Sequence, residues 1–183
     1  MEFFSKGKHG KVYIDGNMAV KETLPRRVKN ETFWIKELNM HGIGPKLIEV
    51  NKNNFKYEFI KGEFILQYLI KNREWKIIED VLRQCRQMDK LKMNKLEMHN
   101  PYKHIIVTEK KKPILIDFER AYHTENPKNV TQFSQYLASK NFAQTLNMKI
   151  SRKELISLTK KYKENKTDKN FNEIAKFFRK SFG

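Results

Sequence analysis

The sequence predicts an α+β protein, a small strand-rich lobe followed by a mainly helical one. Three observations carry that expectation. Residues 10–60 hold short apolar runs separated by turn residues. From residue 63 onward, apolar positions recur at three- and four-residue steps over long stretches. Glycine is scarce, seven in 183 residues, and it gathers at 7–16, at 42–44 and at 62, so the chain is punctuated there and free to run in helices beyond.

The elements follow in order. Residues 10–22 read as a hairpin: Val12 and Ile14 alternate with Lys11 and Tyr13, Asp15-Gly16-Asn17 tolerates the left-handed turn, and Met18–Glu22 returns. Residues 27–41 have helical spacing, with Phe33, Trp34 and Leu38 on the apolar face. Gly42-Ile43-Gly44-Pro45 ends that helix, because glycine caps and proline cannot continue. Residues 46–51 and 55–60 read as strands around the turn at 51–54. Residues 63–70 and 74–92 read as helices, the second with Trp75, Ile78, Val81, Leu82, Cys85, Met88 and Leu91 on one face. Two short apolar strands, 105–107 and 114–116, flank a lysine-rich turn ending in Pro113. Helices are expected over 129–147, 151–164 and 168–182, with Ser151-Arg152-Lys153-Glu154 as a capping box.

Composition narrows the partners. With 38 Lys+Arg against 21 Asp+Glu the net charge is +17, which favours polyanions such as nucleic acid, nucleotides or an anionic membrane surface. Thirteen phenylalanines and seven tyrosines argue for a packed core and against disorder. One cysteine, Cys85, excludes an internal disulfide framework and fits a reducing compartment. No apolar run reaches the roughly 20 residues a membrane helix needs, and the first residues do not read as a signal peptide. A cytoplasmic location is the expectation.

Four pieces could handle phosphate. Ser5-Lys6-Gly7-Lys8-His9-Gly10-Lys11-Val12 leads into a strand, and its glycines allow backbone N–H groups close to an anion; an ordinary hairpin turn would look the same. Ala19-Val20-Lys21 puts a lysine on an otherwise apolar strand, where it needs a partner unless it is a solvated edge lysine. Glu31 on the next helix could be that partner, with Glu37 as its rival. Asp117 closes the apolar strand Ile114-Leu115-Ile116, and such an aspartate is placed either to bind Mg2+ or to cap a turn.

Taken in order, these pieces resemble the protein-kinase signature set across roughly residues 3–140. Gly7 and Gly10-Lys11-Val12 resemble the end of the glycine-rich loop, with Ser5 in place of its first glycine. Ala19-Val20-Lys21 resembles the phosphate-binding lysine motif, with Glu31 where the pairing glutamate belongs. Phe55–Gly62 looks like the strand and hinge that receive adenine, which places Glu58 at the nucleotide. Ile116-Asp117-Phe118-Glu119 resembles the metal-binding Asp-Phe-Gly, with Glu replacing Gly.

The departures are as specific as the matches. In Lys95-Leu96-Glu97-Met98-His99-Asn100-Pro101-Tyr102-Lys103-His104, the usual catalytic Asp is missing: His99 stands at its position, Glu97 two residues earlier, and His104 at the second metal-binding position. No Ala-Pro-Glu follows Asp117, and the remaining chain is too short for a full substrate lobe. This reduced plan is similar to small archaeal atypical kinase-like proteins of the serine/threonine class, related to the RIO type and to the kinase subunit of the KEOPS complex.

The resemblance implies a minimal kinase-like fold with residues 1–62 as the N-lobe and 63–183 as a reduced C-lobe. It implies ATP under Gly7, Gly10 and Val12, Lys21 held by Glu31 on the phosphates, Mg2+ on Asp117, and Glu97 or His99 as the base. Lys21, Glu97, His99 and Asp117 are then the catalytic set, and the expected activity is serine/threonine kinase-like transfer or slow autophosphorylation and ATP hydrolysis. The alternative is a nucleotide-binding pseudokinase acting as an RNA- or ribonucleoprotein-associated scaffold. Its support is the missing Asp and the basic stretch 151–183, where aromatics are interleaved at Tyr162 and at Phe177-Phe178. Phe171, Ile174, Phe178 and Phe182 also share a helical face, which would pack on the second lobe or lie on a membrane surface.

Overall fold

A computed structural model describes all residues, Met1–Gly183. Its first part is a five-stranded antiparallel sheet of β1 (Glu2–Lys6), β2 (Gly10–Asp15), β3 (Met18–Thr23), β4 (Leu47–Val50) and β5 (Asn54–Glu58), in the order β1-β2-β3-β5-β4. The β2–β3 hairpin turns at Gly16–Asn17, where Gly16 takes the left-handed conformation at φ 62°. Cross-strand pairing sets Val12 opposite Lys21 and Lys21 opposite Phe55, so one face carries all three.

Helix α1 (Pro25–Asn39) connects β3 to β4. Pro25 fits its first turn, where no N–H is required. Val28, Glu31, Thr32, Trp34, Ile35 and Leu38 face inward, whereas Phe33, expected on the apolar face, points to solvent. The helix ends through Gly42 and Gly44, both at positive φ. The Asn39 side chain ties this turn together, donating to the carbonyls of Ile43 and Pro45 and accepting from the N–H of Leu47.

The second part is mainly helical. Strand β6 (Glu63–Phe64) precedes α2 (Ile65–Asn72), which displaces the start expected at residue 63. Helix α3 (Trp75–Lys90) runs through the core, followed by β7 (Met93–Asn94) and a short 3-10 helix (Leu96–His99). The hairpin of β8 (Ile105–Val107) and β9 (Pro113–Leu115) pairs with β6, and β10 (Tyr122–His123) pairs with β7. The helix expected over 129–147 is two, α4 (Asn129–Leu137) and α5 (Lys140–Thr145), because the Ser139 hydroxyl accepts from the Phe142 N–H and starts a new helix.

Of the last helices, α7 (Asp168–Phe182) docks on α3, and α6 (Arg152–Glu164) packs on α7 and α4. Tyr162 is fully buried and its hydroxyl donates to Asp89 at 2.8 Å, while Arg86 donates to the Lys166 carbonyl at 2.6 Å. Phe171, Phe177, Phe178 and Phe182 are buried, so the aromatics interleaved with lysines serve packing. One apolar cluster runs through both parts, from Val28 and Phe55 to Phe118 and Phe182. No helix is long and apolar enough to cross a membrane.

Candidate functional site

Between the five-stranded sheet and the helical part lies a cleft of about 410 Å3. Its roof is the loop Gly7–Gly10, closed by the Gly7 N–H on the Gly10 carbonyl at 2.9 Å. Gly10 is required there, since a Cβ would stand 2.4 Å from the Glu22 carbonyl oxygen.

At the back of the cleft stands Lys21. Its Nζ lies 2.8 Å from Glu31 Oε2, 2.9 Å from Asp117 Oδ1 and 3.7 Å from Glu119 Oε2. It donates hydrogen bonds to Glu31 Oε1 (3.1 Å) and Asp117 Oδ1; Glu31 Oε2 is ion-paired without hydrogen-bond geometry. Burial opposes the charge on Lys21, but Glu31 and Asp117 outweigh it and hold the ammonium's pKa well above its ordinary 10.5. Burial pushes the Glu31 carboxyl up, against the pull of Lys21 and of the Phe118 N–H at 3.3 Å.

Asp117 is separated from β9 by Ile116 alone and adopts φ 63°, a left-handed conformation unusual for a non-glycine residue. Such a conformation costs on the order of 1–3 kcal/mol and persists where the surroundings enforce it. Here the Lys95 ammonium donates to the Asp117 carbonyl, and Glu31 accepts from the next N–H. Burial raises the Asp117 carboxyl, but Lys21 and Lys95 outweigh it and the net shift is downward. His104 Nδ1 lies 3.6 Å from Asp117 Oδ2 with no hydrogen-bond partner, and burial lowers its pKa, favouring neutral imidazole.

A second buried pair forms the floor. Lys95, fully buried, meets Glu97 at 3.1 Å, and Glu97 also accepts from Arg120 at 2.7 Å. Burial works to raise the Glu97 carboxyl, yet Lys95 and Arg120 leave it below its ordinary value. Burial lowers the Lys95 pKa, against the attraction of Glu97 and Asp117. Glu119 pairs with Arg27 of α1 at 2.9 Å, and Asn30 and Trp34 donate to the carbonyls of Glu119 and Ala121. Helix α1 is thereby fastened to the segment that carries Asp117.

Gly7, Gly10, Val12, Lys21, Glu31, Glu97 and Asp117 all line this cleft. Two predicted residues do not. His99 is exposed on the 3-10 helix, its Nδ1 2.6 Å from the Leu96 carbonyl. Glu58 is exposed at the end of β5, and the β5 residue lining the cleft is Tyr57, whose hydroxyl pKa burial pushes up to about 12. Between the two rival partners for Lys21, Glu31 makes the contact and Glu37 forms no ion pair. Lys95, Arg120 and Arg27 escaped sequence reasoning.

Carboxylate oxygens of Glu31, Asp117 and Glu119 lie within 4.8 Å of one another, an all-oxygen set of the kind Mg2+ prefers. Lys21 already sits among them, Glu31 is committed to Lys21 and Glu119 to Arg27. Asp117, one-third exposed, is the carboxylate with room for an ion, which suits a metal completing its shell from ligand oxygens. No family model and no curated protein matches the chain.

Proposed function

We propose that this protein is an ATP-dependent phosphotransferase of the atypical kinase kind, with a minimal two-lobed kinase-like fold, acting on a serine- or threonine-type hydroxyl. The observation that carries the reading is Lys21, an ammonium held at the back of a cleft by Glu31 at 2.8 Å and shared with Asp117 at 2.9 Å. A phosphate chain entering under Gly7 and Gly10 meets backbone and a pre-positioned cation, and phosphoryl transfer needs mainly positioning and charge neutralisation. Asp117 would hold Mg2+, which when bound neutralises phosphate oxygens. Glu31 keeps Lys21 in place, and Arg27 with Glu119 keeps α1 against the Asp117 segment.

Glu97 is a poor base in this arrangement, because two cations hold it ionised with its lone pairs engaged. It positions Lys95 and Arg120 instead. That same observation favours a second reading, a pseudokinase that binds nucleotide without transferring phosphate. Isothermal titration with Mg-ATP tests nucleotide binding: the expectation is saturable binding, lost in Lys21→Met and Asp117→Ala while the folded state survives. No binding by the wild-type protein refutes the proposal. Binding without labelled-phosphate transfer to the protein or to added substrates decides for the pseudokinase.

A further inference from the structure

A second feature lies on the opposite side of α1 and stands apart from the phosphotransferase reading. Between α1 and β4 runs a groove of about 560 Å3. Val28, Phe33, Leu47 and Val50 form its floor, and Lys29, Lys36 and Lys52 form its rim. Phe33 is 53% exposed and Val50 50% exposed, although both are large apolar side chains. Phe33 meets Trp34 edge-on at 5.0 Å, yet about half of its surface stays open to solvent.

The charge around this groove is of one sign. Lys29, Lys36 and Lys52 take part in no ion pair, and no Asp or Glu lines the groove. Some surface lysines do have an acidic partner, as Lys56 with Glu49 at 2.7 Å and Lys111 with Glu74 at 2.7 Å, and the three at this groove are among those that do not. Arg26 extends the same exposed stripe of α1, one turn before Lys29. A ring of unpaired cations around an apolar floor is complementary to a ligand with acidic flanks and apolar anchors.

We infer that this groove is a docking site for a partner protein's acidic peptide segment, one that places an aromatic or aliphatic anchor against Phe33 and Val50 and its carboxylates on Lys29, Lys36 and Lys52. A second copy of the chain is disfavoured, because each copy carries +17. A nucleic acid could set phosphates on the rim and a base on Phe33, but Val28, Leu47 and Val50 offer no stacking face, so an aliphatic or aromatic peptide anchor covers more of the floor. The occupied groove would abut the fastening of α1: the Phe33 ring lies 5.0 Å from that of Trp34, whose indole donates to the Ala121 carbonyl.

The test is a selection of random dodecapeptides displayed on phage against the full chain at physiological salt, followed by affinities of the enriched peptide for variants. The expected pool is acidic and carries at least one aromatic or large aliphatic residue. Its binding should weaken about tenfold or more both in Phe33→Glu and in the triple variant Lys29→Glu/Lys36→Glu/Lys52→Glu. The triple variant changes only exposed side chains, so it keeps the test valid if Phe33→Glu perturbs folding. The inference is overturned by a pool that does not enrich, by a neutral or basic pool, or by affinities that the triple variant leaves within about twofold. It is also overturned if a uridine oligonucleotide displaces the peptide and is itself lost in the triple variant, which would assign the face to nucleic acid.

Discussion

Replacing Lys95 with methionine tests the floor of the cleft. The side chain is wholly buried, and its Nζ meets Glu97 at 3.1 Å, lies 4.9 Å over the Phe118 ring and donates to the Asp117 carbonyl. Methionine keeps the stem and removes the charge. Orphaning the partner of a buried pair costs about 3–5 kcal/mol. Glu97 keeps Arg120 at 2.7 Å, which moves the expectation to the lower end, about 3 kcal/mol, with the lost hydrogen bond at Asp117 contributing roughly 1 kcal/mol of it. With a urea m-value near 3 kcal/mol/M, the midpoint should fall by about 1 M at unchanged m. The double variant Lys95→Met/Glu97→Met removes both charges and should recover at least about 1 kcal/mol relative to the single one, because an apolar pair replaces an ionic one. Circular dichroism across a urea series reads both. A single variant within about 0.5 kcal/mol of wild type, or strictly additive effects, would refute the assignment of Lys95 as a buried, paired ammonium.

Three further expectations concern stability. Burial sets the folded pKa of His104 below 6.5, so the unfolded chain binds more protons on acidification; the contribution is present above 6.5 and is lost as pH falls from there toward the folded value. His104→Gln should therefore flatten the decline in urea midpoint between pH 7 and pH 5, and an unchanged slope would count against it. Gly62→Ala should destabilise by about 2 kcal/mol or more, because its Cβ would stand 2.2 Å from the Val107 carbonyl oxygen, whereas Gly16→Ala, with open space but φ 62°, should cost only about 1 kcal/mol; thermal melts separate the two. Tyr162→Phe should cost about 1–2 kcal/mol by taking a donor from buried Asp89, read as a lower midpoint with no change in helix content.

Much of this architecture was legible where periodicity and turn chemistry agree. The Asp15-Gly16-Asn17 turn, the Gly42-to-Pro45 stop and the apolar face of α3 each rest on a local rule, and each element stands where that rule puts it. Phe33 shows the limit: helical spacing identifies an apolar stripe, but which residue at its edge faces inward depends on β4 and on Trp34 beside it. Ser139 shows another, since one capping hydroxyl divides a periodic run into two helices. In the cleft, Lys21, Glu31 and Asp117 came from an ordered spacing, whereas Lys95 and Arg120 did not. In a chain with 38 basic residues nothing local distinguishes a buried lysine from a solvated one. His99 failed for a related reason, because alignment by position ignores that a 3-10 helix turns its side chain outward.

The cleft's charges also bear on how a nucleotide would enter it. Lys21, Arg27, Lys95 and Arg120 are equalled in number by Glu31, Glu97, Asp117 and Glu119; Lys21 takes Glu31 and Asp117, Arg27 takes Glu119, and Glu97 takes Lys95 and Arg120. The interior is thus neutral as built, and an unmatched cation, Lys8, lines the cleft mouth. A triphosphate brings several negative charges into a site that has already spent its own cations, and the Asp117 carboxylate adds to the repulsion. Phosphate affinity should therefore depend on a divalent cation more steeply than in a site with free lysines. Titrating ATP with and without Mg2+ at fixed ionic strength measures this, with affinity expected to fall about tenfold or more when the metal is chelated. Asp117→Asn relieves the repulsion and removes the carboxylate proposed to hold Mg2+, so it should narrow that ratio. A ratio near unity in the wild type would mean that Lys21 leaves Glu31 and Asp117 to take the phosphates alone, and that the network is looser than its distances imply.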